Sequence, residues 1–187
     1  MRRALPILCR AAAAALGLAV MAAGLRQVYG PMPAIAGQTV PLAQSSQREP
    51  LTLGDKPVSV TLAPSPETPG SLQSRVGALA PSDQLYLVLQ GLRADQPVGT
   101  GYQVYLDLPA GTAPARDGGH YVGDLNFFNA APGRRSAMFN VTSLLQALRS
   151  HGGLSDHPTV TIAPNDPAAG RAATAVIANI ALIAVAP

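Results

Sequence analysis

The sequence predicts a mainly β protein: an antiparallel β-sandwich or partly closed barrel of about seven strands with one short α-helix, preceded by a hydrophobic leader helix. Three observations carry this reading. Gly and Pro, 18 of each, interrupt the chain at short intervals, which suits short strands better than long helices. Several segments alternate apolar and polar residues with period two, the mark of a strand with one face in a core and one in water. One segment of the folded part places apolar residues at i, i+3, i+4 and i+7, the spacing of a single helix face.

The first element is the leader. Met1-Arg2-Arg3 is a basic start, Ala11 to Gly24 is an uncharged run of 14 residues, and Arg26 closes it. A membrane-spanning helix needs about 20 apolar residues and the core of an export signal about 7–15. Residues 1–26 therefore read as a signal peptide, or as a membrane anchor with residues 11–25 in contact with the bilayer. Val20-Met21-Ala22 and Ala34-Ile35-Ala36 are the small-residue sites where a signal would be cut. The expected location is exported, periplasmic or secreted, with anchoring in the inner membrane as the alternative. Residues 27–57, with Pro31, Pro33, Pro41, Pro50 and the Gln44-Ser45-Ser46-Gln47 stretch, read as an extended linker. Residues 58–187 read as the folded domain.

Within that domain Val58–Leu62 is the expected first strand, β-branched and alternating. Leu85–Leu92 and Tyr102–Leu108 follow. In the latter, Tyr102, Val104, Leu106 and Leu108 share one face, and Gln103, Tyr105 and Asp107 the other. In His120–Phe128, Tyr121, Gly123, Leu125 and Phe127 point one way, and His120, Val122, Asp124 and Asn126 the other. Asp95-Gln96-Pro97-Val98-Gly99 and Asp117-Gly118-Gly119 supply turns. Arg134-Arg135 falls in a Pro-Gly turn. Val141, Leu144, Leu145 and Leu148 fall at i, i+3, i+4 and i+7 and predict a helix over 141–149. Asn140 is its expected N-cap, with Phe139 stapling onto Leu144, and Gly152-Gly153 stops it. Pro158–Ala163 and Thr174–Val185 complete the strands. The last is apolar on both faces, as a central strand would be.

Composition excludes some functions. Four of the 13 basic residues, Arg2, Arg3, Arg10 and Arg26, precede residue 37. Nine then stand against ten acidic residues, so the domain is near neutral and lacks the basic footprint of a nucleic-acid binder. Cys9 is the one cysteine, so no intramolecular disulfide forms. The histidines are His120, His151 and His157, with no H-x-x-x-H pair, and no metal or other cofactor is expected. Ser155-Asp156-His157 holds triad residue types, but adjacent residues do not converge on one another. No G-x-S-x-G occurs. An unrecognised hydrolase is therefore set aside, and the chain reads as a non-enzyme.

Four stretches give the chain a family likeness: Y-Q-V-Y-L-D-L-P at 102–109, Y-V-G-D-L-N-F-F at 121–128, F-N-V-T-S-L-L-Q-A-L at 139–148 and V-T-I-A-P at 160–164. Their order and spacing over residues 58–185 resemble the C-terminal β-sandwich that follows the copper domain in plant polyphenol oxidases, bacterial tyrosinase-like proteins and molluscan haemocyanin units. The paired histidine helices of that copper domain are not in this sequence. In the family, the module packs over the entrance to a dinuclear copper site and shields it. The resemblance therefore implies an exported, non-catalytic accessory domain that shields, chaperones or forms a subunit of a separately encoded tyrosinase-like copper enzyme. The alternative is an independent envelope module, binding or structural, with no oxidase partner. No copper-blocking residue is carried over. The loops Leu92–Gly101 and Pro109–Gly119 flank the most family-like strands, and loops on a rigid scaffold often carry binding. Arg93, Asp95, Gln96, Tyr102, Arg116 and His120 are accordingly the expected partner-binding residues.

Overall fold

The computed structural model describes residues 38–47, 49–95, 98, 100–127, 135–168 and 174–187. The leader reading falls on residues outside this set. The described chain forms β1 (Thr39–Ser45), β2 (Leu51–Leu53), β3 (Val58–Pro64), α1 (Leu72–Ala78), β4 (Gln84–Ala94), β5 (Tyr102–Leu106), β6 (Tyr121–Leu125), β7 (Arg135–Asn140), α2 (Thr142–Ser150), β8 (Thr159–Pro164), β9 (Ala175–Ile177) and β10 (Asn179–Val185). The mainly β expectation holds, with ten antiparallel strands in one sheet and two helices among the described residues. That is more than the seven strands and one helix the sequence predicts.

The extra elements have physical reasons. The second half of the expected linker is not a linker. β1 lies between β10 and β3, with Thr39 opposite Val185 and Ala43 opposite Pro64. Pro41 is tolerated because a bulge at Leu42 breaks the ladder beside it. β2 pairs with β9. The expected Arg134-Arg135 turn gives way to β7 at Arg135, which pairs along the free edge of β4. The predicted last strand splits into β9 and β10 at Ala178, opposite a second irregularity at Gly91 on β4. Gly91 has φ +65°, and a Cβ there would sit 2.5 Å from the Ala178 Cβ. Only glycine both adopts this backbone and leaves room for Ala178.

α1 is absent from the sequence reading. The Ser71 side chain accepts from the Ser74 N–H and caps it. Leu72 and Val76 enter the core. Arg75 is buried at 8% exposure. Its guanidinium donates to the carbonyls of Leu42 at 2.7 Å, Ser65 at 3.2 Å and Pro69 at 3.4 Å. It ties α1 to β1 and to the loop after β3, adding a second donor to the Leu42 and Ser65 carbonyls, which also accept the Ser65 and Thr68 N–H groups.

α2 is close to its expected place. Leu145 and Leu148 are buried, and Leu144 packs at the core margin. Asn140 caps from one position earlier than the helix boundary suggests: its Oδ1 accepts the Thr142 N–H at 3.0 Å. The Phe139 ring packs on Gly123 of β6.

The sheet runs β7, β4, β10 with β9, β1 with β2, then β3, β8, β5 and β6. Its two ends meet where β7 approaches β6 through Phe139 and Gly123. The result is a partly closed barrel around one apolar core. Leu42, Leu62, Leu87, Leu89, Val104, Leu106, Ile162 and Leu182 fill that core, and both helices cover it.

Candidate functional site

The expected docking residues do not form one surface. The loop after β4 enters the start of β5, and the loop from Asp107 to His120 leaves its end. A five-residue strand separates them by roughly 13 Å. Arg93 is exposed on β4, opposite Val176. The Asp95 carboxylate accepts the Thr174 N–H at 2.8 Å, and the Asp95 N–H donates to the Thr174 carbonyl at 3.2 Å. It holds the loop closed. Gln96 lies outside the described residues. Tyr102 is corrected: it is 1% exposed, its ring meets Phe127 edge-on at 5.8 Å, and it belongs to the core. The alternation that placed it on an apolar face is the stronger signal.

The other end of β5 does gather side chains. Gln103 and Tyr105 lie on the outer face of β5, since Tyr102, Val104 and Leu106 point into the core. Across from them, Asp124 faces Gln103 and Tyr121 faces Tyr105. The register shifts between these two pairs. This bulge corrects the predicted β6 faces. Val122 packs on the core, and Tyr121 turns outward to share a face with Asp124. The Tyr105 and Tyr121 rings meet edge-on at 5.7 Å. The Tyr105 hydroxyl donates to Gln103 Oε1. The Arg116 guanidinium, reaching in from the loop, pairs with Asp124 at 2.9 Å.

Tyr105 is fully buried although it points away from the core, with the Tyr121 ring edge-on against it. Burial pushes the Tyr105 phenol upward. The Asp124 charge adds to this and the Arg116 charge opposes it. Burial likewise raises Tyr121, helped by its hydrogen bond to Asp124 and by that residue's charge. Both phenols stay protonated in the neutral range, the Tyr105 hydroxyl engaged by Gln103 and the Tyr121 hydroxyl by Asp124.

His120, the second expected residue of this loop, donates from Nδ1 to the Leu106 carbonyl at 3.0 Å, and its own carbonyl accepts the Leu106 N–H at 2.8 Å. It closes the β5–β6 ladder. His151 donates from Nδ1 to the Ala147 carbonyl at the end of α2. Among the described residues no three His, Cys, Asp or Glu side chains gather as a metal site would require.

Asp107 is the residue that sequence reasoning placed wrongly. It does not continue the outer face of β5. It has φ +54°, a left-handed conformation that Asp tolerates better than most residues. Its Oδ2 accepts the Ser155 N–H at 2.7 Å and its Oδ1 the Thr159 N–H at 3.3 Å. It clamps the loop between α2 and β8, including Ser155 and His157, to the end of β5. The serine and histidine of that loop are joined only locally, the His157 N–H donating to Ser155 Oγ.

The outer face of β5 and β6 thus holds two edge-on phenols, Gln103 and the exposed Arg116–Asp124 ion pair. Solved structures share the chain's fold. Latent aurone synthase, a polyphenol oxidase, from its natural source matches with TM-score 0.50 at 13% identity, over 84% of this chain and 30% of that one. The recombinant latent enzyme co-crystallized with hexatungstotellurate(VI) and soaked in H2O2 matches with TM-score 0.50 at 14% identity, over 75% and 26%. Latent apple tyrosinase matches with TM-score 0.46 at 16% identity, over 71% and 27%. The chain thus spans about a quarter to a third of the length of these structures. No curated protein matches. Residues 41–183, most of the chain, match one family model, and the protein belongs to that family, a domain of unknown function designated DUF7868.

Proposed function

We propose that the chain is a non-catalytic accessory domain that docks on a separately encoded tyrosinase-like copper enzyme and shields or chaperones its metal site. The observation that carries the reading is the shared fold with latent aurone synthase, of which this chain matches only 26–30%. The resemblance of the β5, β6 and α2 sequence stretches to the tyrosinase-type C-terminal sandwich supports the same reading. So does the outer face of β5 and β6. Arg116 and Asp124 at its rim are exposed and give a docked protein polar partners, and the half-buried Tyr121 beside them adds a large ring.

Export across the inner membrane fits the basic, apolar leader and belongs to the same proposal. The test uses a copper-domain enzyme encoded in the same source. Catechol oxidation is followed with and without one equivalent of the full chain, and copper retention is measured against a chelator. Lower oxidation or slower copper loss supports the reading. Oxidation by the copper-loaded chain alone overturns it. An enzyme unaffected in both assays favours the independent envelope module.

A further inference from the structure

The connection between β5 and β6 buries almost nothing. Every residue from Pro109 to Gly119 is exposed. None of their side chains enters the core cluster, so the connection has no apolar anchor. Segments with few buried contacts and a solvated backbone are the ones that open most easily.

Its ends are fixed. Asp107 holds the β5 end through the Ser155 and Thr159 N–H groups. His120 holds the β6 end through the Leu106 carbonyl. Between them the backbone bonds are local: the Thr112 N–H donates to the Pro109 carbonyl at 3.1 Å, the Gly118 N–H to the Ala115 carbonyl at 3.1 Å, and the Tyr121 N–H to the Gly118 carbonyl at 3.2 Å. From Pro109 to Gly119 one side chain bonds to the sheet among the described residues. It is the Arg116 guanidinium, which meets Asp124 at 2.9 Å.

That pair parts at little cost. The Arg116 and Asp124 side chains are 56% and 44% exposed. An exposed pair favours its closed form by about fivefold at most, and salt screens it. Release strands neither partner. The guanidinium passes into water, and the Asp124 carboxylate keeps the Tyr121 hydroxyl as a donor.

We propose that the Pro109–Gly119 segment is a strap latched to β6 by Arg116 and Asp124. Latched, it holds the guanidinium at the outer face of β5 and β6. Released, it swings between its pinned ends at Asp107 and His120, on the nanosecond-to-microsecond scale of surface loops, and carries the guanidinium off that face. The purpose of the device rests on the docking reading: the docked protein meets Asp124 and Tyr121 directly, and the freed Arg116 fork reaches a carboxylate on that protein.

The test uses the free full chain, so it reads the strap whether or not an enzyme docks. A nitroxide spin label is placed at Ala113→Cys in a Cys9→Ser background, with Ser143→Cys on the exposed side of α2 as the control site. The mobile fraction of the spectrum at position 113 should rise about two- to threefold between about 0.01 M and about 1 M sodium chloride, over which the screening length falls from about 30 to about 3 Å. Asp124→Asn should give the same rise at low salt and remove the response to salt, while position 143 stays unchanged throughout. The salt series needs no substitution at the pair, so it decides the matter even if Asp124→Asn misfolds. A spectrum at position 113 indifferent to salt would overturn the strap. So would an equal rise at position 143, which marks a general loosening of the fold. A strap that responds to salt in a chain that binds no enzyme would remove the docking reading and leave the strap standing.

Discussion

The Phe139 ring on β7 occupies the space beside Gly123 on β6, its nearest carbons 2.8 Å from where a Cβ on that glycine would stand. This one contact brings the two ends of the sheet together, because β6 and β7 are its terminal strands. Gly123→Val should therefore cost about 2–3 kcal/mol, as overpacking a closed site does. Phe139→Leu in the same chain should recover part of that loss. Urea unfolding of the four chains of the cycle measures the coupling, and additive losses would mean that the strands do not meet there.

Arg75 holds α1 by three backbone carbonyls. Arg75→Met keeps the stem and removes the donors, and should cost about 2–4 kcal/mol, since three hydrogen bonds that tie α1 to β1 and to the loop after β3 are lost together. Arg75→Lys should recover little, because an ammonium lacks the guanidinium fork that spans three acceptors. Thermal unfolding of the two variants distinguishes them, and equal stability with the parent would remove Arg75 as a structural clamp.

The Tyr102 hydroxyl is buried without a hydrogen-bond partner. Tyr102→Phe should be neutral or stabilise by up to about 1 kcal/mol, because it deletes an unpaired polar atom and keeps the ring contact with Phe127. A loss above that size in chemical denaturation would point to an acceptor for the hydroxyl.

Burial raises the Tyr102, Tyr105 and Tyr121 phenols above their ordinary value. The folded state therefore keeps these protons after the unfolded chain has released them. Their contribution is fully present below about pH 10, the ordinary phenol range, and is lost as pH rises through the folded values. The urea midpoint should hold from neutral pH to about pH 9 and fall above pH 10. Arg116→Ala removes the one cation that favours the phenolates of Tyr105 and Tyr121, so phenolate absorbance should appear at higher pH than in the parent. A titration that moves the other way would deny the Arg116 contact.

Much of this was readable in the sequence where the period-two or helical pattern was undisturbed. The strands around Leu85–Leu92 and Tyr102–Leu106 and the α2 face of Leu145 and Leu148 follow their apolar spacing directly. The misses lie where one residue breaks the period. The bulge between the Gly123 and Tyr121 pairings turns Tyr121 outward, and no composition signal marks it. Pro41 and the Gln-Ser stretch disguise β1, whose fully buried residues are only Leu42 and Ala43, with Val40 half-buried against the core. α1 did carry a signal: Ser71 before Leu72, Val76 and Leu79 at i, i+4 and i+7. It is short, and Gly70 and Pro81 at its ends make it look like a loop. The residues expected to bind a partner do not share one end of the fold: Arg116 and His120 lie on one loop, while antiparallel connectivity puts Arg93 and Asp95 at the other end of β5, which residue spacing alone does not reveal.

The most direct test of the account is whether the chain binds a copper-domain enzyme through the outer face of β5 and β6. Sedimentation velocity of the full chain mixed with a tyrosinase-like copper enzyme from the same source should show a stoichiometric complex, with Arg116→Glu plus Tyr121→Ala weakening it at least tenfold, about 1.4 kcal/mol, and Gly111→Ser leaving it intact. Two separate boundaries at all concentrations, or a complex indifferent to Arg116 and Tyr121, would contradict the accessory role or its assigned surface.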